Sequence, residues 1–344
     1  MNVATKIRIS LVGLGAVNLG LLTILQRRKN ELLNLHGIDL SVVAVADSSG
    51  VAVRMQGWDY QELIDLKRTK KSASAFEGYQ PGSTSEMITD LCPVDILVES
   101  SPGNIHTGMP GLAICRKALA QGTRVVLANK TPLIFAFDEL MHLARQRNIR
   151  YSATVCGGLP VINVLTRDLS LAEIKSIRGV LNATSNFVLQ EMEQGRSPEA
   201  AVAEARRIGA AEADPSHDLH GHDTANKLYI MLRSATSWKG GIQDISVTGI
   251  QYLNPDQVVR AAQQGNKYKL VAEAIAEDSH WTVRVTPELT EASSFLGSCN
   301  GWEMGVEIAS DLYDKVYLKN YEADPLGTSA AVLRDIFDLC GVHH

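Results

Sequence analysis

No stretch of the chain reaches the roughly 18 uninterrupted apolar residues that a membrane-spanning helix needs. The N-terminus, MNVATKIRISLVGLG, runs directly into a strand pattern and lacks the apolar core and small-residue cleavage site of a signal peptide. Neither a helical anchor nor a cleaved leader is expected. Cysteine is sparse: Cys92, Cys115, Cys156, Cys299 and Cys340 lie far apart, and none forms a C-x-x-C pair. An odd, unpatterned set of thiols fits a reduced cytoplasmic protein. It argues against a disulfide framework or a zinc held by cysteine. Charge of one sign is also scarce, with 33 Lys and Arg against 38 Asp and Glu and a net charge of −5. No surface built for nucleic acid or an anionic membrane is expected from that balance. There is no Pro/Gly/Ser-rich linker and no internal repeat. What is present is an ordinary globular composition, 45% hydrophobic over 344 residues. That length suggests two domains, closely coupled around a ligand cleft.

The first 150 residues alternate between strand and helix patterns. Strands are expected at Ile7–Val12, Ser41–Ala46, Asp95–Glu99, Arg124–Ala128 and Arg150–Val155, with helices at Ala16–Arg27, Met109–Ala120 and Asp138–Arg147. This alternation implies βαβ units and a doubly wound parallel sheet, an α/β fold of the Rossmann type. The second half changes character. Strands are expected at Ser176–Leu181, Leu270–Ala276, Trp281–Val285 and Gly305–Ala309. Helices are expected at Glu199–Ile208 behind Ser197-Pro198, from about Gly221 to Ser234, and over residues 327–340. This is the pattern of a second, α+β domain.

Strand Ile7–Val12 is followed by Gly13-Leu14-Gly15-Ala16-Val17-Asn18-Leu19-Gly20. Gly13 and Gly15 supply a tight turn and a close backbone approach to a pyrophosphate, and the next helix offers its N-terminal amides. Asn18 stands where the fingerprint usually has its third glycine. Asp47 ends the second strand, where an acidic side chain takes ribose hydroxyls and favours NAD; Ser48, Ser49 and Arg54 leave a 2′-phosphate and NADP open.

Three further segments are too polar for plain core. Ala128-Asn129-Lys130-Thr131-Pro132-Leu133 places a lysine at the carboxyl end of a strand, where ligands bind. The second segment is Leu181–Phe187, LNATSNF. The third runs from Gly209 to Lys227 and carries Glu212, Asp214, Asp218 and Asp223 before Lys227. Asp223 and Lys227 are four apart and share a face if that stretch is helical. Burial would lower the lysine's pKa and the carboxylates would raise it. His217, His220 and His222 interleave with these carboxylates, but no familiar metal-ligand spacing is present.

With these motifs together, the chain resembles the homoserine dehydrogenase family. The residues that carry the resemblance are the glycine turn, ANKTPL at 128–133, VCGGLPVI at 155–162, GVLNATSNFVLQEM at 179–192 and EADPSHDLHGHDTANKL at 212–228. Their order and spacing match along nearly the whole chain. The resemblance implies a Rossmann NAD(P)-binding domain over residues 1–150, joined by a C-terminal helix at about 325–344. It implies a substrate-binding and dimerisation domain over 151–324 and a homodimer. The implied reaction is the reversible NAD- or NADP-linked interconversion of L-homoserine and L-aspartate 4-semialdehyde. Lys227 would be the general acid/base, Lys130 would lie beside nicotinamide and substrate, and Asp218 would join them. Glu212 and Asp218 would hold the substrate's amino and hydroxyl ends, with Asp223 and Thr184 nearby. The candidate cofactor contacts are Gly13, Gly15, Ala16, Val17, Asn18, Asp47, Ser100, Ser101, Asn129, Lys130 and Thr328. Backbone carbonyls at Val155 and Gly157 could coordinate a monovalent cation such as sodium.

The chain departs from the family pattern at several places. Asn18 and Ala183 replace glycines, Ser152 stands where many members have a cation-site glutamate, and Ala210 replaces a common tyrosine. Residues 321–328, YEADPLGT, replace a glycine-rich loop. These changes leave two alternatives: a related oxidoreductase acting on another small amino or hydroxy acid, and a catalytically decayed nucleotide-binding paralogue. The chain ends about where the family's catalytic core ends, so no appended regulatory domain is expected.

Overall fold

The computed structural model describes residues 5–70, 72–145, 147–208, 214–278 and 280–342. The chain divides into two compact units, Met1–Gly158 with Pro325–His344, and Leu159–Asp324. Unit 1 is built on strands β1 (Thr5–Val12), β2 (Ile38–Asp47), β3 (Gly50–Val53), β4 (Tyr79–Gln80), β5 (Ile96–Glu99), β6 (Arg124–Leu127) and β7 (Ile149–Arg150). They form one sheet in the order β4-β3-β2-β1-β5-β6-β7. β1 runs parallel to β2 and β5, and β5, β6 and β7 continue in parallel. Their near-continuous apolar runs follow from burial on both faces. The expected all-parallel sheet is corrected at one edge, where β3 is antiparallel to both β2 and β4. The strand order reverses beside β1, and in such sheets ligands bind outside the carboxyl ends of the strands at that reversal.

The first helix spans Ala16–His36, nine residues beyond the expected Arg27. It ends at Gly37, whose left-handed φ of 63° lets its N–H donate back to Leu33 O. The next expected boundaries shift too: helices run Gly111–Ala120 and Thr131–Leu143. The C-terminal helix, Leu326–Leu339, packs on the first helix. Gly20 permits this approach, because a Cβ there would come within 2.3 Å of Ser329 Oγ. That hydroxyl donates to Val17 O at 2.8 Å.

The expected strand Arg150–Val155 is wrong. β7 stops at Arg150, and Ser152–Thr154 forms a single tight turn. The cause is a partner distant in sequence. Asp335, fully buried on the C-terminal helix, accepts from Ser152 N at 2.8 Å and from Ser152 Oγ at 2.7 Å. Burial raises the Asp335 carboxyl to about 6 despite these bonds.

Unit 2 carries β8 (Ile174–Val180), β9 (Ser246–Val247), β10 (Asn266–Glu277), β11 (His280–Glu291), β12 (Glu303–Ser310) and β13 (Asp314–Tyr321). The order is β13-β12-β8-β10-β11-β9, antiparallel throughout except for β9 beside β11. Helices Ala183–Glu193 and His222–Ala235 pack against β10. A polar row crosses the sheet: Arg178 reaches Glu273 at 2.9 Å and Glu288 at 2.5 Å, and Arg284 also donates to Glu273 at 2.8 Å. Lys269 on β10 is fully buried. It donates to Asn186 Oδ1 at 2.9 Å and Cys299 O at 2.5 Å, and burial pulls its ammonium down to about 8.

Candidate active site

In unit 1, β1 ends in the glycine turn. Gly13 has φ 78°, and a Cβ on it would lie 2.6 Å from Ser101 Cα, so both conformation and space require glycine. A Cβ at Gly15 would meet nothing within 4 Å, which leaves open space over the start of helix Ala16–His36. The first turn of that helix has no acidic residue and no side-chain cap, so its amides are not taken up by a capping side chain. Open space beside such amides suits a pyrophosphate, and these residues fit a dinucleotide on that ground. Asn18 is buried, and its amide donates to Val12 O at 3.1 Å and Gly13 O at 2.9 Å. It braces the turn from behind, where the usual glycine could not. Ser100 Oγ braces the same turn by donating to Gly13 O at 3.0 Å.

Asp47 ends β2, but its carboxylate is heavily engaged by the chain. Oδ1 accepts from Ser49 N (2.9 Å) and Ser49 Oγ (2.6 Å), and Oδ2 from Lys67 Nζ (3.1 Å) and Ala73 N (3.0 Å). Burial pushes its pKa up, but the bonds from Ser49, Ala73 and Lys67 outweigh this and leave it below the ordinary value. Arg54 is held bidentate by Glu62. Beyond β6, Asn129 is buried and accepts from Thr131 N and Oγ1 at 3.0 and 2.9 Å, bracketing Lys130 at the N-terminus of helix Thr131–Leu143. Thr328 lies in the first turn of the C-terminal helix. Cys156 and Gly157 both have φ 54°, and their turn carries the carbonyls of Val155 and Gly157.

In unit 2 the helix His222–Ala235 sets Asp223 and Lys227 one turn apart, as their spacing predicts, with Nζ 2.7 Å from Asp223 Oδ2. Lys227 Nζ also donates to Leu181 O at 2.7 Å. The lysine and aspartate side chains are only 12% and 11% exposed, because Leu228, Ile230, Met231 and Leu232 bury the helix around them. Asn182 joins the cluster. Its amide donates to Asp218 Oδ1 at 2.8 Å and to Asp223 Oδ2 at 3.0 Å. Its carbonyl accepts from Ser185 N at 2.8 Å and so caps helix Ala183–Glu193, on whose first turn Thr184 sits.

Lys227, Asp223 and Asp218 therefore come together through Asn182, which the sequence reading gave no role. The signal for it was local: an Asn followed by small polar residues and then an apolar helix is an N-cap pattern. Glu212 and Ala210 lie outside the described residues. His217 and His222 stand 5.6 Å apart and His220 and His222 6.2 Å apart, by ring centroid. Burial lowers the His222 pKa, and its two histidine neighbours lower it further. Among the described residues no group of three or more His, Cys, Asp or Glu is placed to hold a metal ion.

A dinucleotide turn at a sheet reversal, with a buried lysine–carboxylate cluster on a second unit, is the equipment of a nicotinamide-dependent oxidoreductase. Comparison with known proteins narrows the class. The family model for homoserine dehydrogenase matches residues 160–337. The homoserine dehydrogenase of Methanocaldococcus jannaschii is 32% identical over 96% of this chain and 98% of its own. The NAD(+)-dependent homoserine dehydrogenase of Pseudomonas canavaninivorans is 32% identical over 97% of this chain and 96% of its own. Among solved structures, a hyperthermophilic archaeal homoserine dehydrogenase in complex with NADPH superposes with a TM-score of 0.82 at 27% identity, covering 98% of each chain. The chain belongs to the homoserine dehydrogenase family.

Proposed function

We propose that this chain interconverts L-homoserine and L-aspartate 4-semialdehyde with NAD or NADP, and that Lys227 is its general acid/base. The observation that carries the reading is the Lys227–Asp223–Asn182–Asp218 cluster. A bound nicotinamide would supply or accept the hydride. Lys227 gives a proton to the oxygen of the aldehyde as it becomes a hydroxyl, and takes it back in the other direction. Asp223 and Leu181 O hold the ammonium while it does so. Asp218, fixed by Asn182, and Glu212 hold the substrate's amino and hydroxyl ends, with Thr184 beside them. Lys130 is proposed to lie next to nicotinamide and substrate. A well-placed general acid is worth roughly 10²–10⁴ in rate.

Both nucleotides are proposed as cofactors. Asp47 would repel a 2′-phosphate, but Lys67 stands against it and the chain's own donors engage its oxygens. Its relatives include an NAD(+)-dependent homoserine dehydrogenase and a homoserine dehydrogenase solved in complex with NADPH. A cation at Val155 and Gly157 does not fit as well. Ser152 brings no carboxylate, and Asp335 is engaged by Ser152. A cytoplasmic homodimer completes the proposal. Its support is the set of free cysteines and the exposed Tyr317 and Tyr321 on β13. The test is reduction of NAD⁺ and NADP⁺ by the purified chain with L-homoserine, followed by absorbance of the reduced nicotinamide. Turnover is expected with both; none with either would overturn the reading.

A further inference from the structure

The inner end of the dinucleotide turn rests on a buried acid that the proposed reaction does not use. Glu99, the last residue of β5, is fully buried. Its Oε1 accepts from Ser101 N at 3.0 Å, from Ser101 Oγ and from Asn129 Nδ2 at 3.3 Å. Its Oε2 is buried and, among the described residues, has no hydrogen-bond partner. The backbone repeats the link, since Glu99 O accepts from Ala128 N at 2.9 Å and Asn129 N at 3.3 Å.

Each partner leads to a different part of the nucleotide site. Ser101 is the residue whose backbone would lie 2.6 Å from a Cβ at Gly13. Asn129 is the residue that brackets Lys130 through Thr131. The arrangement leaves no room to spare. A Cβ at Gly111 would come within 2.7 Å of Asn129 Nδ2 and 3.1 Å of Glu99 Oε1, and one at Gly103 within 2.1 Å of Thr131 Oγ1. A carboxyl group is a costly choice for mere packing here, because one of its oxygens is buried unpaired.

We propose that Glu99 is a positioning residue for the dinucleotide. A single oxygen, Oε1, ties the Ser100–Ser101 loop to the Asn129–Thr131 loop and so fixes both against the glycine turn. The charge of the group is not what the loops use, since every donor converges on Oε1. Burial also pushes the Glu99 carboxyl above its ordinary range, towards the neutral acid. An amide side chain offers the same acceptor, so Glu99→Gln is expected to preserve the device and Glu99→Ala to remove it.

The experiment is titration of the intact chain with NADPH, read by nicotinamide fluorescence, beside steady-state kinetics and thermal melting. Glu99→Ala is expected to raise the NADPH Kd by at least about tenfold, the worth of one hydrogen bond, and Glu99→Gln by less than about threefold. KM for the dinucleotide should follow Kd, whereas a general loss of fold would show as a lowered Tm and a smaller active fraction with Kd unchanged. Should Glu99→Ala fail to fold, Gly103→Ala presses on Thr131 and Asn129 without touching the acid, and it should raise the NADPH Kd as well. Wild-type affinity in Glu99→Ala, or in Gly103→Ala, would overturn the proposal. So would a Glu99→Gln as weak as Glu99→Ala, which would assign the effect to charge. The proposal rests on unit 1 being the dinucleotide unit. A wild-type chain that binds neither NADH nor NADPH would overturn both readings, whereas wild-type binding with an unaffected Glu99→Ala would overturn this one alone.

Discussion

Replacing Asn182 by alanine separates assembly of the proposed active site from its chemistry. The side chain makes three bonds, and each can be given a magnitude. Loss of the N-cap on helix Ala183–Glu193 costs about 1 kcal/mol. The two amide bonds reach carboxylates at 2.8 and 3.0 Å, and hydrogen bonds to charged groups are worth about 1.5–3 kcal/mol each. Asp223 keeps Lys227 as a partner, so the loss at that residue falls at the lower end. A net destabilisation of about 4 kcal/mol is expected, or a drop in Tm of roughly 8–16 °C. Asn182→Asp divides the effect. Aspartate is an equally good N-cap, yet it sets an acceptor where the amide donor stood, between two carboxylates. Its melting temperature should also fall, with activity recovering partly as pH is lowered and one of the three carboxyls takes up a proton. Calorimetry and steady-state turnover on both variants check this. An Asn182→Ala that melts within about 2 °C of wild type and turns over normally would refute the bridging role.

Three further outcomes follow from the buried charges. Lys269 titrates at about 8 instead of 10.5, so the unfolded chain binds more protons across that interval and stability should rise with pH, by up to ~3 kcal/mol; Lys269→Met should lose that rise in pH-dependent melting. Asp335 has the opposite sign. Its folded pKa of about 6 lies above the ordinary 3.8, so the contribution is full below that range and is lost as pH rises through 6, by about 3 kcal/mol; Asp335→Asn should flatten this part of the profile. Lys67→Met should free the charge of Asp47 and raise KM for NADP more than KM for NAD, measured side by side; equal changes would remove Lys67 from cofactor selection.

Much of the site was legible because its signals are local. The strand–glycine–helix order marks the dinucleotide turn, and the four-residue spacing of Asp223 and Lys227 becomes a 2.7 Å ion pair on one helix. What failed to read depends on distant partners. Nothing in RYSATV reveals that Asp335, 183 residues away, turns the chain at Ser152. The donors on the second oxygen of Asp47, Lys67 and Ala73, lie 20 and 26 residues away and leave no mark on the sequence around it. The missed strand β13, DKVYLKNY, is an edge strand with no buried position, so it has no apolar face for periodicity to find. Glu99 looked like the end of an apolar run, and only burial of its carboxyl beside Asn129 and Ser101 separates it from an ordinary strand terminus.

The central claim is that Lys227 moves the proton. Its most direct test is Lys227→Ala, assayed with L-homoserine and either nucleotide beside a separate NADPH titration. The account predicts a loss of turnover of roughly 10²–10⁴ with NADPH affinity unchanged. Turnover within about threefold of wild type would contradict it, because no group worth so little could be the general acid.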